Sequence, residues 1–470
     1  MGGTGAGGAG MGALPRCNDP GAGDVTGTWI SAWISDAGEQ ALPADLTGIA
    51  IAVQRVEGDA TCQILGHGDA TGHFVVPGVP AGPYKLQIGG SYFDASARTL
   101  ELGSRQVGRQ DAVFAAQSAV VAFDVENLRP WAEGDYLEVA SFGANSFLFA
   151  PEAGAPPAAG ATRAQLPVDF SVLGANLIEA RDRVWTTQLE HKADGAVSYD
   201  RLIRAAPLDP FTARPGTPAR THGTLAEVPL VSSITLDVKG AAYDALASAV
   251  HPRASRITSY VALTAQLDAA SSGAGSPDLV VWTVPDTLRG DFTSGPIAYG
   301  NPYAPLAEPT LDVLYSYGVQ IGLPGTSPLA TVVSIYSEDR LSHVTGPITP
   351  TLSPPRDVRI GEAAPGADAS GVGLEPTLRW SAPALGTPAI YVVTIYQLVN
   401  DRGVTRRRPI FSFHHTTGTA LRIPPMTLTR GFSYYALVAA TSSPGLSEAR
   451  PYAATYPYAN ATALSPIFTP

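Results

Sequence analysis

The sequence predicts an all-β chain of several β-sandwiches with one short helix in its middle region, and three observations lead there. Glycine (49) and proline (41) interrupt a 470-residue chain that is 45% hydrophobic and only 15% charged, too apolar for disorder and too often broken for long helices. Apolar and polar residues alternate in short runs along most of the chain, the period of strands with one buried face. The length exceeds what one core fills and suggests about three domains.

The first 23 residues, opening MGGTGAGGAGMGALPR, read as a flexible Gly-rich tether. A first module follows over 24–117, with strands expected at 25–30, at 49–55 where Ile49, Ile51 and Val53 alternate, and as a possible last strand at 112–114. Its best-defined part is 72–88, GHFVVPGVPAGPYKLQI, two strands joined by a Val-Pro-Ala-Gly turn. Phe74 and Val76 mark the apolar face of one strand, and Tyr84, Leu86 and Ile88 that of the other. This segment resembles the signature of carboxypeptidase-regulatory-like domains, small prealbumin-type sandwiches appended to secreted and surface proteins. The resemblance implies an architecture and a compartment, and no chemistry.

Residues 118–351 resemble no family but carry strand-like runs at 120–125, 136–142, 184–189, 228–238, 257–267, 279–284, 311–321 and 331–336. Tyr243, Leu246 and Val250 break the pattern at helical spacing, and His251-Pro252 ends it, so a short helix is expected over 241–250. The stretches 151–161 and 207–218, rich in proline and small residues, read as surface loops.

From 352 to 470 the landmarks are Leu378-Arg379-Trp380, an alternating run at 391–398, and Leu428-Thr429-Arg430-Gly431-Phe432-Ser433-Tyr434. In that order they resemble a fibronectin type III or immunoglobulin-like sandwich. The resemblance implies an inter-sheet core position for Trp380 and a corner role for Tyr434, its hydroxyl bonded to nearby backbone. Arg430 stands where that family has proline, and 363–373 lengthens an early loop.

A net charge of -11 disfavours nucleic acid and anionic lipid as partners, both of which select basic patches. No run of about 18 apolar residues is present, so no transmembrane segment is expected. Lysine occurs only at 85, 192 and 239, and the Ala, Gly, Pro and Arg richness resembles GC-rich bacterial coding. A Gly-rich tether before a β-domain resembles the stretch after the lipidated cysteine of bacterial surface lipoproteins, implying a lipid anchor upstream of the given chain. Cys17 itself follows arginine, where a small residue is required. Cys17 and Cys62 are either joined, tying the tail to the first sandwich, or two unpaired buried thiols.

No nucleophile elbow, zinc-protease motif, phosphate loop, dinucleotide fingerprint or Cys-x-x-Cys occurs. No catalytic residue, metal or cofactor is therefore assigned. Asn18, Asp19 and Asp24 are unspaced for calcium, and His67 and His73 near Asp69 read as loop residues. His414 and His415 are adjacent on a presumed strand and point to opposite faces. Glu133 with Asp135, and Glu338 with Asp339, read as solvated acids in turns, and Arg406, Arg407 and Arg408 as a hairpin tip. The candidate ligand contacts are aromatic: Trp131 in one loop, and Tyr299 and Tyr303 around a Gly-Asn-Pro turn, each able to stack on a sugar or anchor a protein or to pin its loop to a sheet. The reading is a non-enzymatic surface or secreted bacterial protein that binds a protein or glycan surface component or serves as a spacer. The alternatives are an extracytoplasmic hydrolase with a catalytic middle region and a carbohydrate-binding protein.

Overall fold

Hydrogen-bonded strands account for nearly all the regular structure, as the period-two patterning requires. The computed structural model describes residues 14–18, 21, 23–57, 60–151, 156–172, 175–194, 197–267, 276–282 and 290–470. Residues 1–13 of the expected tether, Asp19 and positions 152–155 of the first expected loop lie outside the described residues. From Leu14 onward the tail is pinned: Gln63 N–H donates to the Pro15 carbonyl at 2.9 Å and Cys17 N–H to the Gln63 carbonyl at 3.2 Å.

One 19-stranded sheet organises the molecule. Its first half runs from Ser146–Ala150 through Tyr136–Ser141, Trp185–Asp194, Val197–Pro207, Asp278–Trp282, Ser255–Gln266 and Glu308–Ile321 to Leu329–Arg340, every pair antiparallel. The ladder then takes up the C-terminal strand Tyr458–Leu464, followed by Ser433–Ser442, Ile390–Asp401 and Val404–Thr416. A parallel pairing adds Ser91–Ala95; Tyr84–Ile88, Ile51–Glu57 and Ala60–Leu65 follow, and the short strands Ala226–Glu227, Ala369–Ser370 and Phe468–Thr469 make up the nineteen. Backbone hydrogen bonds thus join all three sequence regions, and one apolar cluster extends from Leu189 through Tyr315 and Trp380 to Phe468. A second cluster lies within 115–225, and a third lies in the N-terminal sandwich.

The two strands of the 72–88 segment pair with different partners. His73–Val79 joins a four-stranded sheet with Gly23–Thr28, whereas Tyr84–Ile88 joins the large sheet, so the intervening turn crosses between layers. Phe74, Val76, Leu86 and Ile88 meet in the core between them. Gly82 has φ +103°, a conformation that side-chain-bearing residues avoid, which is the reason a glycine ends this turn.

Several expected elements differ. The strand expected at 25–30 is two, Gly23–Thr28 and Ile30–Ser35, because Trp29 leaves the ladder to bond the Gly72 and Ala44 backbones. The strand expected at 112–114 is reduced to a single bridge between Phe114 and Asn176. Only Ser232–Ile234 and Asp237–Lys239 form strands within 228–238, where Pro229 has no N–H for a ladder. The helix expected over 241–250 is split into Gly240–Asp244 and Ala247–Val250.

In the C-terminal region Trp380 is buried and meets Tyr391 edge-on at 5.3 Å. The Tyr434 hydroxyl accepts from Thr429 N–H at 2.8 Å and donates to the Thr429 carbonyl at 3.3 Å, closing a corner. His414 and His415 are buried in the parallel pairing with Ser91–Ala95, where they stack on Tyr92 at 4.8 Å and Phe93 at 4.9 Å. Burial lowers the His415 pKa to about 4.

Cys17 and Cys62 are joined in a disulfide that closes a loop with a sequence separation of 45. Loop-closure entropy for that length is worth up to about 4 kcal/mol. Urea denaturation of a C17A/C62A variant beside the parent is expected to reveal a loss approaching this value; an unchanged midpoint would mean that the tail adds nothing to stability.

Candidate functional site

Side chains alternate across a strand, so each strand of the large sheet presents every second residue to the same face. On Ser255–Gln266, Val261, Leu263 and Ala265 enter the main apolar cluster, and Tyr260, Thr264 and Gln266 point the other way. On Glu308–Ile321, Leu311, Val313 and Tyr315 enter that cluster and Asp312 faces opposite. Leu329–Arg340 repeats the division, with Val333 and Ile335 against Tyr336 and Glu338. Tyr458–Leu464 contributes Tyr458 and Asn460, its alanines facing the core. The result is a cavity of about 910 Å³ on the polar face of the sheet.

Two features complete its wall. A β-bulge shifts the register between Leu263 and Thr264, and it brings Asp278 and Val281, three residues apart, to the same face. At the far end Tyr136–Ser141 and Ser146–Ala150 supply Tyr136, Phe147 and Phe149, while Leu137 and Leu148 enter the second apolar cluster. Phe149 is 39% exposed and makes edge contacts with Tyr136 at 5.5 Å and Phe147 at 4.9 Å.

The acids are buried in sequence-distant strands. Asp312 is directly opposite Glu338 across the ladder, and Glu338 is opposite Tyr458. Thr264 donates its hydroxyl proton to Asp312 Oδ2 at 2.8 Å, Tyr336 donates to Asp312 Oδ1 at 3.2 Å, and Tyr456 donates to Glu338 Oε1 at 3.1 Å. Glu138 Oε1 accepts the Asp278 backbone N–H at 2.9 Å. Asp200 lines the wall and meets His191 Nδ1 at 2.8 Å.

Burial, which removes water from the charged form, raises every one of these carboxyls. Asp312 is pushed up to about 6 against the pull of its hydroxyl donors. Glu338 reaches about 9, through burial first and then the Asp312 charge beside it. Glu138 and Asp278 are held well above the usual carboxyl range by burial, each reinforced by a neighbouring acid.

The sequence-derived candidates fall elsewhere. Trp131, Tyr299 and Tyr303 are 4%, 7% and 3% exposed, which agrees with rings that pin their loops to a sheet and not with exposed ligand contacts. Their loops fold back onto the sheet. Asn301 closes one of them by accepting from Tyr303 N–H and donating to the Ala307 carbonyl, and Tyr303 meets Trp185 edge-on at 5.2 Å. Glu338 is a strand residue and not a solvated turn acid, and Asp339 beside it bonds His343 on the other face. Asp135 is buried in an ion pair with Arg129. The Asp69 carboxylate is occupied by Thr71 and the His73 backbone N–H, so it gathers no histidine rings. Arg406 pairs with Asp401 at 2.7 Å.

No protein-family model matches the chain, and no curated protein matches it in sequence. Its geometry is the basis for a functional reading.

The raised carboxyls fix the sign of a pH effect. Glu338 keeps its proton in the folded state up to about pH 9 and loses it near 4.5 once unfolded. Stability therefore falls as pH rises through that window, since the folded state binds more protons. Melting temperatures of the parent across pH 5 to 9 are expected to decline, and those of Glu338→Gln to decline less steeply; equal slopes would mean that Glu338 is already ionised in the folded protein.

Proposed function

We propose that this chain is a ligand-binding protein of the cell exterior and that the acid-lined cavity takes a carbohydrate. The observation that carries the reading is the combination, on one sheet face, of tyrosine and phenylalanine rings with amide, hydroxyl and carboxyl groups. Ring faces suit the apolar C–H faces of sugars, and the polar groups suit their hydroxyls. The cavity volume of about 910 Å³ is in the range of small-molecule sites. The Cys17–Cys62 disulfide supports an oxidising compartment, as do the resemblances to carboxypeptidase-regulatory-like and fibronectin type III sandwiches. A lipid-anchored surface location and a secreted one fit equally.

A second reading, hydrolysis of a glycan, draws on Asp312 and Glu338. They are cross-strand neighbours whose pKa values are pushed apart to about 6 and about 9, the division of labour that general acid and base require. Release of reducing ends from a bound oligosaccharide, abolished in Asp312→Asn, would favour this reading; binding without turnover favours the first.

The test of binding is a glycan array followed by titration of the best ligand. Phe149→Ala removes a part-exposed ring at little cost to the core and is expected to weaken binding about tenfold, equivalent to about 1.4 kcal/mol. Undiminished affinity in Phe149→Ala, or no glycan bound by the parent, would remove the carbohydrate reading.

A further inference from the structure

Elsewhere in the molecule, buried acids have cations. Glu190 is contacted by Arg129, Arg201 and Lys192, and Asp182 is held by Arg109 at 3.0 Å. The cavity is different, because among the described residues no lysine or arginine lines it. Of its lining acids, Asp278 feels the charges of two others, Asp312 and Asp200. Only Asp200 has a basic neighbour, the partly exposed His191.

A second, independent observation concerns Gln266. It lines the cavity at 4% exposure, and its Oε1 has no hydrogen-bond partner among the described residues. A buried acceptor left in this way awaits a donor. Carboxyls without counter-charge, an acceptor without a donor, and several tyrosine faces around one space are satisfied together by a positively charged N–H donor. A hydroxyl would satisfy the amide alone.

A bare metal ion fits poorly, because it needs ligand atoms gathered at a point. Among the described residues the only such group of three is Cys17, Glu57 and Cys62, whose thiols are consumed by the disulfide. The cavity acids are instead spread along the wall, Asp278 opposite Thr264 and Asp312 opposite Ala262 on the two sides of one strand. That spread suits a molecule.

We propose that the ligand of this cavity carries an ammonium group. Resting on the carbohydrate reading, this makes it an amino sugar with a free amine. When the ammonium group arrives, carboxyls that hold protons in the empty cavity release them to solvent, and each resulting carboxylate pairs with the cation. Asp278 and Asp312 are the lining groups concerned, Asp278 supplying the proton because Asp312, pushed up only to about 6, is already largely ionised at pH 6.5. Asp200 is already partnered by His191, and Tyr136, Tyr260, Tyr336 and Tyr458 remain neutral.

The test is calorimetric titration of the full chain at pH 6.5 with three probes: a glucosamine oligosaccharide, its fully N-acetylated counterpart, and spermidine. Each titration is run in two buffers of different ionisation enthalpy. The deacetylated sugar is expected to bind at least tenfold more tightly than the acetylated one, with net proton release. Asp278→Asn and Asp312→Asn, checked for folding by melting temperature, are expected to erase that preference. Equal or tighter binding of the acetylated sugar would overturn the amine and leave the carbohydrate reading in place. Spermidine binding with no sugar binding would keep the amine and overturn the carbohydrate. No binding by any probe would overturn both. The comparison of sugars in the parent protein does not depend on either variant folding.

Discussion

The pairing of Tyr458–Leu464 with Leu329–Arg340 joins segments more than a hundred residues apart, and the arrangement of the large sheet follows from it. Ile335 opposite Ala461 places both in the main core, while Glu338 opposite Tyr458 places both on the polar face. Without that ladder the strands at 255–340 would end at an open edge, with unpaired N–H and carbonyl groups and a cavity lacking one wall. The same strand passes its other edge to Ser433–Ser442 and so connects the C-terminal sandwich to the middle region. Its inward residues Ala459, Ala461 and Ala463 are small, which lets the layer beneath approach closely. A closure over such sequence distance forms late on entropic grounds, after the local hairpins it unites.

Period-two geometry then determines what the cavity can be. A strand with one face in the core cannot turn its other residues away, so an acid at a cavity position stays there whatever its solvation cost. Removing a carboxylate from water costs several kcal/mol unless a partner compensates. Here the chain supplies hydroxyl donors to Asp312 on the wall and to Glu338 opposite it and, among the described residues, no lysine or arginine along the wall, and burial favours the protonated acid instead. Placing like charges directly across a ladder is unfavourable, and a proton retained on Glu338 relieves it. Such a face lowers the stability of the empty protein, which is common where structure is held ready for a ligand.

Much of the fold was legible in the sequence because it depends on local alternation. The runs at 257–267, 311–321 and 331–336 correspond to Ser255–Gln266, Glu308–Ile321 and Leu329–Arg340 with small shifts at their ends. Val197–Pro207 was not legible because Asp200, Arg201 and Arg204 break its apolar pattern; Arg201 is held by Glu190, and Asp200 by His191 at the cavity wall. The cavity was not legible, since its lining acids are at 200, 278 and 312 and only strand pairing brings them to one face. A weak signal was present: Asp312 in TLDVLYS is a lone carboxylate inside an otherwise strand-like apolar run. Of the two readings open for Trp131, Tyr299 and Tyr303, ligand contact and loop anchor, their burial agrees with the anchor. Large rings flanked by glycine and proline occur in both situations, so composition alone does not separate them.

The buried histidines add a constraint of opposite sign to that of the acids. His415 donates to or accepts from the Tyr452 hydroxyl at 2.9 Å and stacks on Phe93, within the parallel pairing that joins the N-terminal sandwich to the C-terminal one along the large sheet. Its pKa is lowered to about 4 by burial, so it is neutral when folded and takes a proton near 6.5 once unfolded. Stability from this joint is therefore lost as pH falls through the range between those values, while the cavity acids lose stability as pH rises above their unfolded pKa. The two requirements overlap, and the chain is pressed from both sides: acid loosens the joint, and alkali charges the cavity. A cationic ligand would act on the alkaline side alone, because it stabilises the carboxylates and touches no histidine of the joint. The N-terminal sandwich, held to the sheet by that joint and to its own tail by the disulfide, is then physically separate from the site in its response to pH, even though one ladder of hydrogen bonds runs through both.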